Sequence, residues 1–457
     1  MRQPVLAAAM AAVLLALVAA PAAAQTVQLQ GDQVKIGAQN ARQAALIQAI
    51  TAGFAQLGED ERLNRTGPGA GVSGGVQSAV ASQPPPVASA TPAEVRSAIA
   101  TVMAAASIQS EALGSLGNPS FFKYPDGSGR VALYRMPQGR SPKCVCIFVH
   151  GCKHDPYSWF YKSQVCQQCT GLPEEVAHTK QCLAHGCAVL ALMSRDRKYG
   201  SRCFSSSGTG NDQPTAQQLI TSWLIKTKLA AKPRYMFGVS SGAAFAIKFP
   251  RIMKMNGVVS EVNMPDVGSW LVDSKGRIPF AMPPVVYYQM DRDLKTAKQI
   301  TAGVKVLQKN KVPVGVIKSH VRNVTNDYLY QRSIYITRNQ AQQIAFYLRK
   351  IGVIDADGMI TYDVRVKRGW TAQLPKYLPW LKRTSPYYNL ISDESQIWEE
   401  LNVAWSWHEI VSDFVRPTLI WLDNKGKTGQ VGLNSLVKKY DLQGNLRCLT
   451  EKREGCK

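Results

Sequence analysis

Gly238-Val239-Ser240-Ser241-Gly242 carries the sharpest chemical signal in the sequence. The stretch before it, 234–237, is apolar and suits a strand; the Ala-rich stretch from Gly242 suits a helix. A tight strand-to-helix turn holds its serine in strained backbone, and only Gly-sized neighbours let the chains approach. The following helix N-terminus faces the serine oxygen and favours negative charge there. This is the chemistry of a serine that attacks a carbonyl carbon. An ordinary Gly/Ser turn has the same letters, and the strand-turn-helix context is what favours the nucleophile.

Three other signals could complete that chemistry. His150-Gly151-Cys152 closes the apolar run 144–149, where a turn can offer a second backbone N–H to a tetrahedral oxygen. The amides of Cys152 and Ser241 are therefore the candidate oxyanion donors, with His150 structural and the Cys152 thiol not used. The run 284–290 ends in Met290-Asp291-Arg292-Asp293. Asp293 is the preferred acid because it stands one step further into the loop; Asp291 is the alternate, and both could be plain loop caps. The chain has only six His. His320 follows the run 312–318, a usual place for a general base, and His408 stands in Trp405-Ser406-Trp407-His408-Glu409 at the start of the last expected helix. A base must come within about 3 Å of the serine oxygen, and distance along the chain excludes neither. His408 is preferred because a glycan on the Asn323-Val324-Thr325 sequon would crowd His320.

The elements that must position these residues are legible as apolar runs. Strands are expected at 130–136, 144–149, 187–193, 234–237, 257–262, 284–290 and 312–318. Helices are expected at 174–183, 215–229, from Gly242 onward, at 338–351 and at 409–422. Continuous apolar strands alternating with helices indicate an α/β fold, a mainly parallel sheet with helices on both faces. Residues 355–400 break the alternation and read as a helical insertion before the last helix. It would form a cap beside the pocket, with Trp370, Tyr377 and Trp380 as candidate walls.

The chain has 457 residues, 45% of them hydrophobic, and a net charge of +23. That is enough apolar material for a sizeable core, which excludes wholesale disorder. No self-similarity at a period of about 20–50 residues points to a repeat protein. Residues 1–24 have the order of a secretory signal peptide, and no later run reaches the roughly 18 apolar residues of a membrane helix. Residues 25–118 form an Ala-rich N-terminal region with a Gly/Pro/Ser linker at 67–92. The main domain spans 119–424 and a basic tail 425–457. Eight of the ten Cys lie from Cys144 to Cys203, and Cys448 and Cys456 sit near the end. An oxidising route favours disulfides. The spacing Cys166-x2-Cys169-x12-Cys182-x4-Cys187 is also compatible with zinc, but disulfides are the preferred reading, and no metal or cofactor is expected. Asn64 and Asn323 are glycosylation sequons. The positive charge permits attraction to anionic polysaccharide or a lipid surface; a secreted destination argues against nucleic acid, and a solvated surface is the simplest reading. The densest basic stretch, 365–383, has six Lys/Arg, and no acid falls in 364–392.

The elbow, the His-Gly turn and the order Ser, Asp, His resemble the α/β-hydrolase superfamily. More narrowly, the chain resembles a poorly characterised plant and green-algal group of α/β-hydrolase-like proteins. That resemblance rests on Phe148-Val149-His150-Gly151-Cys152, on Trp159-Phe160, on 166–175, on the elbow, and on Glu400-Leu401-Asn402-Val403-Ala404 leading to His408-Glu409. It covers about 121–422 and implies an α/β-hydrolase fold with His408 as the base. Position 243, often Gly in that group, is Ala243 here. The expected function is a secreted serine hydrolase that cleaves a carboxylic ester through Ser240, His408 and Asp293, with acyl groups on a polysaccharide or a lipid as candidate substrates. The rival reading is a catalytically inactive binding protein on the same scaffold. A protease is a weaker third.

Overall fold

The apolar runs fold as strands of one sheet. The computed structural model describes residues 116–440 apart from 198, 199, 209, 386 and 387, together with Leu446. The signal segment, the linker, Asn64, Cys448 and Cys456 lie outside the described residues. In chain order the elements are β1 (Ser120–Lys123), β2 (Val131–Arg135), β3 (Cys144–Val149), α1 (Pro173–His185), β4 (Cys187–Leu192), α2 (Gln213–Lys226), β5 (Arg234–Val239), α3 (Ser241–Lys248) and β6 (Gly257–Glu261). They continue with β7 (Val285–Met290), α4 (Leu294–Lys309), β8 (Val314–Ser319), α5 (Tyr328–Arg332), α6 (Arg338–Lys350), α7 (Trp370–Tyr377), α8 (Gln396–Trp405), α9 (Val415–Asp423) and α10 (Gly429–Tyr440).

The sheet has eight strands in the order β1-β2-β4-β3-β5-β6-β7-β8. β1 and β2 are antiparallel at one edge, and every pairing from β4 to β8 is parallel. Alternation along β3 sends Cys146 and Phe148 to one face, under α1, α9 and α10. Val145, Ile147 and Val149 face the other side, under α2, α3 and α4. Strands covered on both faces are mainly apolar, and β3, β4 and β6 are buried at every position; Glu261 at the end of β6 is buried with His178 and the Val411 N–H as partners. The insertion 355–400 packs with α5 and α6 into a third apolar cluster, around Trp370, Trp398, Ile344 and Leu401. This architecture is the α/β-hydrolase fold, with a helical insertion before α9.

Five elements depart from the sequence reading, one of them the short α5, which falls where no element was expected. β1 was not anticipated because it is a short edge strand with mostly exposed residues. The amphipathic α4 was not anticipated either; its lysines alternate with the apolar positions that face the sheet. The last expected helix begins at Val415, not at 409. Pro417 explains the shift: it sits in the first turn of α9, where it is tolerated, and would break a helix that ran through it from 409. His408 is therefore on an irregular loop rather than at a helix start. The basic tail is not all tail, since α10 covers the β8 end of the sheet. There Leu433 packs so close to Gly315 that a Cβ on Gly315 would lie 2.3 Å from it.

The loop 406–414 is almost entirely buried, so its backbone polar groups need partners inside the protein. Side chains from far along the chain supply them. Glu174 accepts from the Ser412 N–H at 2.6 Å and Glu261 from the Val411 N–H at 3.1 Å. The Gln181 side chain donates to the Ser412 carbonyl at 2.7 Å. Behind this contact lies Arg332, fully buried, which donates to Glu400 at 2.9 Å, to Asp413 at 2.8 Å and to Glu174. Asp413 also pairs with Arg322 at 2.6 Å. Burial pushes the Glu400 carboxyl well up, whereas the burial of Asp413 is outweighed by Arg322 and Arg332, which hold it down at about 2. Arg332 thus meets Glu174 and Asp413 at once, and Arg322 meets Asp413 from another side. Removing one side of such a group leaves buried charge without compensation. Arg332→Gln is expected to destabilise the disulfide-intact protein by about 3–5 kcal/mol, read as a lower urea midpoint; an unchanged midpoint would contradict this account.

Candidate active site

Ser240 stands between β5 and α3 with φ 52° and ψ −112°, the strained backbone of an elbow. The flanking glycines are required by close approach. A Cβ on Gly242 would lie 2.1 Å from the Val149 carbonyl oxygen, and one on Gly238 would lie 2.2 Å from the Gly242 carbonyl oxygen. The turn is anchored to β6 and the loop after it: the Ser240 N–H donates to Glu261 O at 3.0 Å, and the Asn263 side chain donates to Ser240 O at 2.7 Å.

The Ser240 Oγ lies 2.9 Å from His408 Nε2, and His408 Nδ1 lies 2.6 Å from Asp293 Oδ2. Asp293 is buried at the N-cap of α4, and its other oxygen accepts from the Thr296 N–H at 3.2 Å. Burial would raise the Asp293 pKa, but the bonds from His408 and Thr296 outweigh it and hold the carboxyl below its ordinary value. An ionised Asp293 fixes the proton of a neutral His408 on Nδ1 and leaves Nε2 free to accept from the serine. The alternates pair with each other instead. His320 Nδ1 lies 3.0 Å from Asp291 Oδ2, and the His320 side chain is 71% exposed. Neither lines the cavity at Ser240.

β3 and β5 are in register at Val149 and Gly238, which brings the His150 turn beside the elbow. Ser241 is the first residue of α3, so its N–H has no partner within the helix. Cys152 follows Gly151 in the same cavity wall and is tied to Cys203 by a disulfide. His150 is buried, contacts the Gly151 carbonyl through Nδ1 at 2.7 Å and packs on Phe204. Burial pushes it down to about 4, so the ring is neutral at neutral pH and acts in packing.

The cavity that opens at Ser240 has a volume of about 240 Å³ and a charged wall. Lys153, His154, Glu175, Arg365, Arg368, Asp393 and Glu409 all reach it. Each carboxylate has a cation: Glu175 pairs with His154 at 2.7 Å, Asp393 with Lys153 at 3.8 Å, and Glu409 with Arg365. Arg365 also lies 5.3 Å from the Trp407 ring, so it grips both chain neighbours of His408. Sequence reasoning missed Arg365 and Arg368 as cavity residues, although the acid-free basic stretch was the available signal. His154 and Glu175 carried no signal of their own.

The expected aromatic walls are elsewhere. Trp370 is 1% exposed, donates to Val364 O and packs on Trp398, closing the core of the insertion. Tyr377 stacks on Tyr347 at 4.9 Å, and Trp380 donates to Gln343 at 3.3 Å; both line a separate surface hollow beside α6. For Trp370 the reason is hydrophobic burial: an insertion without a sheet uses its largest ring to make a core. Asn323 is exposed, and its side-chain nitrogen donates to Asp357 O at 2.9 Å. Besides Cys152–Cys203, disulfides join Cys144 to Cys187 and Cys166 to Cys169, while Cys146 and Cys182 are buried and free. The four cysteines with zinc-like spacing are thus divided between two bridges and a thiol. No group of three or more metal-ligating side chains occurs among the described residues.

No protein-family model and no curated protein matches the chain. Solved structures similar to it include an alpha/beta hydrolase from a Medee basin deep-sea metagenome library, 16% identical over 57% of this chain and 98% of that one, with a TM-score of 0.33. A lidless serine hydrolase from Xanthomonas campestris is 12% identical over 51% of this chain and 95% of that one, with a TM-score of 0.31. The esterase domain of a Rhodothermus marinus protein is 14% identical over 51% and 98%, with a TM-score of 0.29. The class is defined by the chain's own strand order and elbow: it has the α/β-hydrolase fold.

His154 offers a pH test of the cavity wall. Burial would lower its pKa, but Glu175 raises it to about 9, so the imidazole is cationic at neutral pH. A His pKa raised on folding adds stability that is complete below about 6.5 and is lost as pH rises through about 9. The wild type is expected to lose thermal stability between pH 7 and about 10 more steeply than His154→Asn. An NMR titration of the His154 ring with its midpoint near 6.5 instead of about 9 would refute the pairing.

Proposed function

We propose that this protein is a serine hydrolase that cleaves a carboxylic ester. The observation that carries the reading is the hydrogen-bonded series from Ser240 through His408 to Asp293. In this reading Ser240 attacks the ester carbonyl while His408 takes the serine proton at Nε2. Asp293 keeps the imidazole oriented and stabilises the imidazolium. The amides of Cys152 and Ser241 hold the tetrahedral oxyanion, and each such donor is worth about 3 kcal/mol in the transition state. His408 then returns its proton to the departing alcohol, and water repeats the sequence on the acyl-serine.

The setting belongs to the same proposal. The signal-type N-terminus and the three disulfides support export to an oxidising compartment. No helix among the described residues is long and apolar enough to cross a membrane. Glycans on Asn64 and Asn323 fit that route, as does an anionic polysaccharide or lipid surface as the partner of the +23 chain. The narrower likeness to plant and green-algal proteins is part of this reading and rests on the shared stretches of sequence alone.

Labelling with a fluorophosphonate probe tests the proposal. The wild type is expected to label rapidly, Ser240→Ala not at all, and His408→Ala at least about a thousandfold more slowly. His320→Ala is expected to label like the wild type. A folded wild type that fails to label would replace the enzyme with a binding protein on a hydrolase scaffold.

A further inference from the structure

The cavity at Ser240 does not end at its own wall. Arg368 and Ser392 line it and also line an adjoining groove of about 340 Å³ on the insertion, whose far side carries Arg383. The two spaces therefore share a boundary and form a track that leads away from the serine. Its chemistry is one-sided. The carboxylates of the cavity are each engaged by a cation. Arg368 and Arg383 have no carboxylate partner among the described residues; Arg368 donates through Nε to Arg365 O and leaves its terminal nitrogens unpaired.

Thr371 and Ser392 also line the groove, their hydroxyls donating to Arg368 O at 2.9 Å and to Asp393 at 3.1 Å, beside the apolar surface of Pro375 and Leu390.

We infer that this groove is a subsite for a carboxylate-bearing carbohydrate, so that the substrate is an acyl ester of an acidic sugar chain. The inference rests on the esterase reading and narrows it. Arg368 and Arg383 bind the carboxylates, and guanidinium groups present the planar fork that carboxylates match. The Thr371 and Ser392 hydroxyl oxygens accept from sugar hydroxyls, while Pro375 and Leu390 meet the C–H faces of the sugars. A peptide fits less well, because its own N–H groups would need free acceptors and the cavity carboxylates are taken. A long acyl chain also fits less well, because charged side chains make up much of the cavity wall.

The test uses the full-length chain carrying Ser240→Ala, so that nothing is cleaved. Calorimetry is run with trigalacturonate, with the neutral xylotriose, and with phosphatidylserine vesicles. Trigalacturonate is expected to bind, to weaken at high salt, and to weaken about tenfold or more when Arg368→Gln and Arg383→Gln are combined. Equal binding of the two oligosaccharides, no effect of the double substitution, or binding to the vesicles alone would each overturn the subsite. In the active chain, the double substitution is expected to raise KM for acetylated oligogalacturonate about tenfold relative to acetylated xylo-oligosaccharide. Fluorophosphonate labelling of the wild type separates the two claims. Acid-selective binding without labelling would sink the esterase and leave the subsite, whereas labelling without acid selectivity would do the reverse.

Discussion

The position of His408 depends on a buried polar contact made far from it. The loop 406–414 is irregular and shielded from solvent, so no ladder or helix satisfies its backbone. Glu174, Gln181 and Glu261 do so from α1 and β6, and Arg332 holds Glu174 and Asp413 in turn. Ser406 ties the start of the loop to the end of β8 through Ser319 O at 2.6 Å. Charge buried in this way adds little net stability over an apolar packing, but it penalises misplacement heavily. A loop held by four elements at once has one arrangement, and that arrangement sets an imidazole nitrogen 2.9 Å from Ser240.

The other half of the site is held by sterics rather than charge. β5 and α3 meet at an elbow in which two glycines replace side chains that would collide with backbone. The parallel pairing of β3 with β5 then sets the His150 turn against the elbow without a further device. Cys152–Cys203 ties the turn beside the cavity, while Cys144–Cys187 joins β3 to β4 at the opposite end of the strands. Ser240 and the His150 turn are thus placed by the sheet, while His408 comes from a loop that the sheet alone would not order.

The insertion connects the two. Its aromatic residues build its own core, and its basic residues reach the cavity. Arg365 is central here because it pairs with Glu409 and faces Trp407, the neighbours of His408 on either side. A ligand that meets the insertion at Arg365 therefore meets the segment that carries His408.

Sequence alone determined the features that depend on near neighbours. Apolar runs made the central strands recognisable, because strands covered on both faces admit a polar residue only where it finds a buried partner, as Glu261 does. The elbow was legible because the glycine requirement is local and steric. The edge strand β1 and the start of α9 were less so; the first is mostly exposed, and the second turned on Pro417. Sequence narrowed the partner of Ser240 to two histidines and the acid to two aspartates, and no local rule separates them. Tertiary structure decided that Asp291 meets an exposed His320 and that Asp293 meets His408, because a buried network spanning α1, α5, α8 and the 406–414 loop sets where that loop lies. It likewise sent Trp370 into a core and Arg365 and Arg368 to the cavity. Burial and charge pairing are settled by which distant segments meet, and spacing along the chain does not encode that.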